Sequence, residues 1–163
     1  PRNPKIRALA KEIGQDKKTA WEQIEAVYDY VREKIQQERG AIKGAVAALK
    51  DGRGNHEDMI NAFVAICRAK DVPARTVWIP AHAYAEFYLE DDKGGGHWFP
   101  CQIAGTRAFG EMPDRAPILQ KGDNFRPPYH KRDIQRFMAV HLSIVDVGAP
   151  PKYKFVRQLV SSP

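Results

Sequence analysis

Two histidines stand where this sequence changes from one structural pattern to another. His56 follows Asn55 at the start of an almost wholly apolar stretch, and His82 opens a segment in which apolar and polar side chains alternate. A neutral imidazole can act as a general base or bind a transition metal. If the apolar stretch is a helix and the alternating segment is a strand packed on it, both rings converge on one cleft.

Cysteine supplies the other candidate chemistry, because a thiolate is a strong nucleophile. The chain has two cysteines, too few for a disulfide scaffold or a four-thiolate zinc site. Cys67 shares a helical face with Phe63, so we expect it to be a small buried apolar side chain. Cys101 is the better candidate nucleophile, yet alternation places it on the strand face opposite Gln102, directed away from His82 if Gln102 faces the site.

A metal site is a third possibility, because two converging histidines can bind zinc or copper. A third ligand is not evident: His97 shares the strand face of Cys101, and Gln102 is a poor ligand. We therefore predict no cofactor and no metal ligand, and a histidine-based metal site stays an alternative.

Helices in the first half of the chain must position these residues. Apolar residues at three- and four-residue spacing predict helices over residues 1–14, 19–39 and 40–50. Thr19 and Glu22 have the spacing of a capping box for the second of these helices. Asn55 caps the next helix, with Asp58 three residues on, and its apolar body makes it the predicted central buried helix.

Strands dominate the second half. Composition and alternation predict strands over residues 75–79, 82–89 and 97–103, the last two joined as a hairpin by three glycines. Beyond them we expect a loop over 105–129 with a short strand near 117–120, a helix over 133–142 and a last strand over 153–160. Helices first and antiparallel strands afterwards predict an α+β domain.

Length and composition fit a single domain over residues 1–163, with a core from about residue 20 to residue 142. The chain begins at Pro1, so we expect it to be excised from a longer protein, and no apolar run approaches the roughly 20 residues of a membrane span. The formal charge of +6 is scattered along the chain and accompanies no nucleic-acid motif. We therefore expect no nucleic acid as a partner.

Five segments follow one another along the chain: NHED at 55–58, AFVAICRA at 62–69, VPAR at 72–75, HAYAEFYL at 82–89 and WFPCQ at 98–102. From about residue 20 to residue 102, the chain resembles the transglutaminase-like superfamily. In that family a glycine and a catalytic cysteine open a buried helix, a histidine starts a strand, and an aspartate closes the next strand. The resemblance implies the papain-like cysteine fold, which transglutaminases, proteases and peptide-releasing amidases share.

The resemblance assigns His56 to the position of the catalytic cysteine, His82 to that of the histidine and Gln102 to that of the aspartate. Of the three, His82 alone keeps the family's residue. Gln102 could still orient His82 through its side-chain carbonyl. His56 lacks the nucleophilic sulfur on which acyl transfer in this fold depends, and the helix dipole favours a neutral imidazole there.

We therefore expect a pseudoenzyme, a domain that has lost acyl transfer and serves as a peptide-binding, protein-binding or structural module. Two alternatives stay open. One is an acyltransferase, amidase or protease-type hydrolase that uses His56 with His82, or Cys101, in a non-standard arrangement; the other is the histidine-based metal site. Bacterial relatives of this superfamily are often extracytoplasmic, while the sequence leaves the compartment and the oligomeric state open.

Overall fold

The computed structural model describes residues 3–113, 116–127, 134–138, 148–149, 152–154, 156 and 158. The chain divides into two compact units, Pro1–Asp123 and Asn124–Pro163. All the helices and strands named below lie in the first unit. In the second, Phe125 and Gln135 exchange backbone hydrogen bonds of 2.7 and 2.8 Å. One domain over residues 1–163 stays a prediction.

Four helices form in the described residues: α1 Pro4–Glu12, α2 Ala20–Lys34, α3 Ala45–Asp51 and α4 His56–Ala69. The predicted capping box of α2 and the predicted cap Asn55 of α4 are both confirmed, and Asp58 completes a second box. The side chain of Thr19 accepts from the Glu22 N–H and that of Asn55 from the Asp58 N–H, and each carboxylate accepts in return. Each box satisfies N–H groups that lack helical partners in the first turn. Among these described helices, none is long and apolar enough to cross a membrane.

The main sheet is antiparallel, with the strand order β6-β5-β4-β3-β7. Its strands are β3 Ala74–Ile79, β4 His82–Glu90, β5 Gly96–Gln102, β6 Ala108–Phe109 and β7 Gln120–Lys121. A separate pair of short parallel strands, β1 Gln36–Gln37 and β2 Arg53–Gly54, precedes them in the chain. α4 contacts α1, α2, α3, β3 and β4. This is the predicted α+β architecture, with a central buried helix on an antiparallel sheet.

The register of the sheet decides which side chains share a face. Ala85 of β4 lies opposite Cys101 of β5, and His82 of β4 lies opposite Ile79 of β3. Opposite residues point to the same face, and consecutive residues point to opposite faces. Cys101 therefore faces the core together with Ala85, while Gln102 points to the face that carries His82.

Aromatic rings fill the core between α2, α4 and the sheet. Tyr28, Phe63 and Phe87, one from each layer, have no exposed surface. The Tyr28 and Phe63 centroids lie 6.5 Å apart at 88°, and those of Phe63 and Phe87 lie 6.3 Å apart at 72°. Such edge-to-face contacts add to the stabilisation from burial alone. Trp21 covers the cluster, its ring centroid 5.7 Å from that of Phe87.

The second helix is shorter than its sequence predicts. α2 ends at Lys34, whereas apolar spacing extends it to residue 39. The reason is a competing partner, because the Gln36 N–H donates to the Gly52 carbonyl at 2.9 Å and the Glu38 N–H to the Gly54 carbonyl at 2.8 Å. The pairing of β1 with β2 takes the donors that another helical turn would use.

The helix predicted over 133–142 and the strand predicted over 153–160 are not seen in those of their residues that the structure describes. Residues 134–138 are not helical, because the Gln135 backbone bonds to Phe125 instead of to its own chain neighbours. The rest of the helix predicted over 133–142 lies outside the described residues. Residues 153, 154, 156 and 158 form no strand, and the remainder of the strand predicted over 153–160 also lies outside the described residues.

Candidate functional site

The N-terminal end of α4 is held by one buried carboxylate. His56 is the first residue of the helix, and Asp58, in the same turn, has no exposed surface. Asp58 Oδ1 accepts from the N–H groups of Lys43 at 2.9 Å and Gly44 at 2.7 Å, and Oδ2 accepts from that of Asn55 at 3.0 Å. Hydrogen bonds to an ionised acceptor are among the strongest in proteins. Asp58 therefore fastens the segment before α3 to the start of α4.

Gly54 allows this close approach. A Cβ atom at Gly54 would lie 2.8 Å from the Asp58 Cβ and 3.1 Å from the Ala48 Cβ. Neither neighbouring atom can swing away, because both are fixed to the backbone of a helix. The glycine two residues before His56 is therefore required by packing at the helix start.

His82 follows a tight turn with unusual backbone geometry. Ile79 and His82 pair across the turn, and Pro80 and Ala81 form it. Proline at the first central position and a φ of +60° at Ala81 are the features of a type II turn, which favours glycine at the second position. The strained turn sets the first side chain of β4 next to the start of α4.

The rings of His56 and His82 face each other. Their centroids lie 5.8 Å apart with an interplanar angle of 27°, and both residues are partly exposed. The imidazoles therefore meet at a surface that a ligand can reach. The start of α4 and the start of β4, two separate segments of the sequence, therefore lie side by side.

Gln102, the third predicted site residue, ends β5 on the sheet face that carries His82. Its side-chain Nε2 donates to the Thr106 carbonyl at 3.4 Å. This bond turns the amide nitrogen toward the loop of residues 103–107, which we call the β5–β6 loop. The structure thus joins His56 to His82 by ring contact, while the amide group of Gln102 is engaged with that loop.

Two side chains of α2 hold this end of β5, and sequence reasoning did not single them out. The Tyr28 hydroxyl donates to the Gln102 carbonyl at 2.9 Å and accepts from the Ala108 N–H at 2.9 Å. Arg32, one helical turn later, donates to the carbonyls of Ile103 at 2.9 Å and Gly105 at 2.8 Å. A tyrosine on the apolar face of a helix, followed four residues later by arginine, was the available signal.

Both cysteines are structural. Cys67 and Cys101 have no exposed surface, as the sequence predicts for Cys67. Burial raises the pKa of each thiol far above its usual range. The Cys101 Sγ also donates to the Ala85 carbonyl at 3.6 Å. Neither sulfur is a thiolate at neutral pH, and neither can reach a substrate at the surface.

Glu86 lies on the same face as His82 and has its own partners. It is 5% exposed and accepts from Arg75 Nε at 2.9 Å and from Lys121 Nζ at 3.0 Å. The Arg75 guanidinium also lies 3.7 Å from the ring centroid of Trp98. This cluster ties β3, β4, β5 and β7 together, and it is a structural use of the carboxylate.

Among the residues that the structure describes, a third metal ligand does not join the histidine pair. His97 lies opposite Leu89, seven residues along β4 from His82, which corresponds to about 23 Å of strand. In the part of the chain that the structure describes, three or more histidine, cysteine or acidic side chains do not gather in a group that could hold a metal ion.

A buried helix that begins beside a strand histidine, packed on an antiparallel sheet, is the plan of the papain-like cysteine fold. The chain belongs to the transglutaminase-like superfamily, whose family model matches residues 7–103. The match runs from within α1 to the end of β5 and therefore includes all three predicted site residues.

Two solved bacterial structures are similar. A "putative cysteine protease" from Cytophaga hutchinsonii shares 23% identity at a TM-score of 0.51, over 61% of this chain and 36% of that protein. A "putative protease" from Parabacteroides distasonis shares 8% identity at a TM-score of 0.48, over 66% of this chain and 27% of that protein. The chain thus spans about a third of the first protein's length, and that likeness supports the fold. No curated protein matches the sequence.

Proposed function

We propose that this chain is a transglutaminase-like domain without thiol-dependent acyl transfer, and that it binds peptide or protein at the surface between His56 and His82. The observation that carries the proposal is an imidazole on the first residue of α4, where the family resemblance calls for the nucleophilic cysteine. Without that sulfur no thioester can form between substrate and protein, and the rest of the fold cannot replace this step.

The buried thiols support the loss of this chemistry. Cys67 and Cys101 are the chain's whole complement of cysteine, and both lie in the core with a raised pKa. A nucleophile must be ionised and accessible at the working pH. Moving either sulfur to the surface would require opening the packing between α4 and the sheet.

The partly exposed pair His56 and His82 supports the binding role. Imidazole nitrogens donate and accept hydrogen bonds, and the positive dipole end of α4 lies at His56. Peptide carbonyls and carboxylates are the groups such donors recognise. The ordered backbone around Asp58 and the Pro80–Ala81 turn keeps the two rings in place before a ligand arrives, which lowers the entropy cost of binding.

An enzyme with a non-standard arrangement is the second candidate, favoured by the ring contact of His56 with His82. In that mechanism one imidazole attacks the carbonyl carbon of an amide, the C–N bond breaks, and the other imidazole supplies the proton with which the amine leaves; water then hydrolyses the acyl-imidazole. Such activity would not depend on thiols, which separates it from ordinary chemistry of this family.

Turnover of a fluorogenic peptide amide, with and without an added amine acceptor, tests these possibilities. We expect the rate with the protein to equal the rate of the buffer blank, before and after iodoacetamide treatment. Turnover that His56→Ala abolishes and iodoacetamide leaves intact would establish the second candidate. Turnover that Cys101→Ala abolishes would show that a core thiol acts after all.

Peptide arrays test the binding role, with His97→Ala as the matched control. His97 is an exposed histidine at the far end of β5, so its loss removes an imidazole without touching the proposed surface. Peptides that bind the unmodified protein should bind His82→Ala at least about tenfold more weakly, a loss of one or two hydrogen bonds, and His97→Ala equally well. Equal binding to all three proteins would contradict the assigned surface.

A further inference from the structure

A groove of about 370 Å³ lies between α1 and α3, with Tyr30 of α2 among its lining residues. Its floor is apolar: Ile6 and Leu49 are buried, and Leu9 and Val46 are partly buried. α1 and α3 both pack on α4. A volume above 300 Å³ with a mainly apolar lining and a few polar groups is typical of small-molecule sites.

Charged side chains stand at the rim. Lys5, Glu12 and Lys50 line the groove and are exposed. Neither lysine forms an ion pair with any residue that the structure describes. Lys5 and Glu12 are seven residues apart on one helix, about 10 Å along its axis, so one rim carries a positive and a negative end. The two lysines leave the rim positive as a whole.

Tyr30 marks the end of the groove near Glu12. Burial raises the pKa of Tyr30, and the nearby Glu12 carboxylate adds to the shift. Tyr30 is partly buried, so its ring adds apolar surface to this end of the groove. An anionic group is repelled from this end by Glu12 and attracted to Lys5, about 10 Å away along α1.

We propose that this groove binds a single-chain anionic amphiphile, with its aliphatic chain on the floor and its anionic head against the rim lysines. The volume corresponds to roughly twelve groups of the size of a water molecule or a methylene. This matches a saturated chain of about twelve carbons. The apolar floor favours an aliphatic chain, and the positive charge of the rim favours a negatively charged head group. This site is separate from the one proposed at His56 and His82.

Calorimetric titration with dodecanoate, below the concentration at which it forms micelles, tests the proposal on the whole chain. We expect binding of one molecule per chain. Ala8 is an exposed rim residue, and Ala8→Trp should fill the groove and weaken binding at least about tenfold. Lys11→Trp adds the same ring to the same helix outside the groove and should leave the affinity unchanged.

Charge is tested separately. Replacing Lys5 and Lys50 by glutamine should weaken dodecanoate binding about fivefold, whereas Lys11→Gln should not change it. The dodecyltrimethylammonium cation, with the same chain and the opposite charge, should bind at least about tenfold more weakly than dodecanoate. Circular dichroism establishes that each variant keeps the helix content of the unmodified protein.

Three results would overturn the proposal: no binding of dodecanoate, equal binding of the cationic amphiphile, or binding that Ala8→Trp leaves intact in a folded protein. A groove that holds a second copy of the chain would give a dimer in sedimentation that Ala8→Trp dissociates, with no binding of dodecanoate. None of these results bears on peptide binding at His82, because His82→Ala should leave dodecanoate binding unchanged.

Discussion

Replacing Asp58 by asparagine removes the charge that fastens the start of α4 to the segment before α3. The carboxylate accepts three backbone N–H groups with no exposure to water, from Lys43, Gly44 and Asn55. Asparagine has nearly the same shape, but one of its two terminal atoms is a donor. The substitution therefore tests the charge and the acceptor count with little change in volume.

The expected loss follows from these three bonds. If the asparagine oxygen keeps the bonds to Lys43 and Gly44, its NH₂ group meets the N–H of Asn55. The resulting buried, unsatisfied donor costs about 1–3 kcal/mol. The two remaining bonds lose the assistance of charge, about 0.5–1 kcal/mol each. We expect Asp58→Asn to lower the free energy of unfolding by about 2–5 kcal/mol and, at about 3 °C per kcal/mol for a chain of this size, the Tm by about 6–15 °C.

Urea unfolding measures the global loss, and amide hydrogen exchange measures its location. Exchange at the Lys43, Gly44 and Asn55 amides should accelerate more than exchange in β4, because their acceptor is the altered group. Asp92→Asn, an exposed change in the β4–β5 turn, is the control and should leave the stability unchanged. A loss below about 1 kcal/mol, or faster exchange spread evenly over the chain, would refute the role assigned to Asp58.

Three further predictions concern the histidine surface. Ala81→Gly should raise the free energy of unfolding, measured in urea, by about 0.5–1 kcal/mol, because glycine adopts a φ of +60° without strain. An unchanged midpoint of urea unfolding would mean that the turn stores no strain. In the double variant His56→Cys with Gln102→Asp, the new thiol should have a lowered pKa, because the helix dipole and an oriented His82 stabilise thiolate. Its iodoacetamide labelling should rise with pH through a midpoint below about 8.5, while Cys101 stays unlabelled; a midpoint at or above that value contradicts this. Zinc titration should show at most weak binding that His56→Ala removes, whereas micromolar binding that survives this change places the metal elsewhere.

Local signals made much of the fold predictable. The capping boxes at Thr19 and Asn55 each lie within four residues, so the sequence carries the whole interaction. Strand alternation around His82 predicted which side chains share a face, because the register of a hairpin follows from its turn. The buried state of Cys67 followed from its helical face. These elements depend little on distant parts of the chain.

Long-range partners account for what sequence reasoning missed. α2 stops at Lys34 because Gln36 bonds to Gly52, sixteen residues later in the chain. Arg32 and Tyr28 hold the β5–β6 loop across more than 70 positions, and the pattern of α2 shows their polar groups but not which distant backbone they bind. Gln135 pairs with Phe125 where helical spacing favoured a helix. Periodicity describes which face is apolar, but not which distant backbone competes for a donor.

Lys70 makes the attachment of α1 depend on the rest of the fold. Its ammonium group donates to the carbonyls of Ala10 at 2.8 Å and Ile13 at 2.9 Å, at the C-terminal end of α1. A helix of nine residues is marginal in water, so α1 is stable chiefly while it is docked on α4. Detachment of α1 would be a partial unfolding step that destroys the groove and leaves the sheet paired. Any molecule held between α1 and α3 would then shift that equilibrium by mass action, so ligand binding and the order of the N-terminal segment are one linked process.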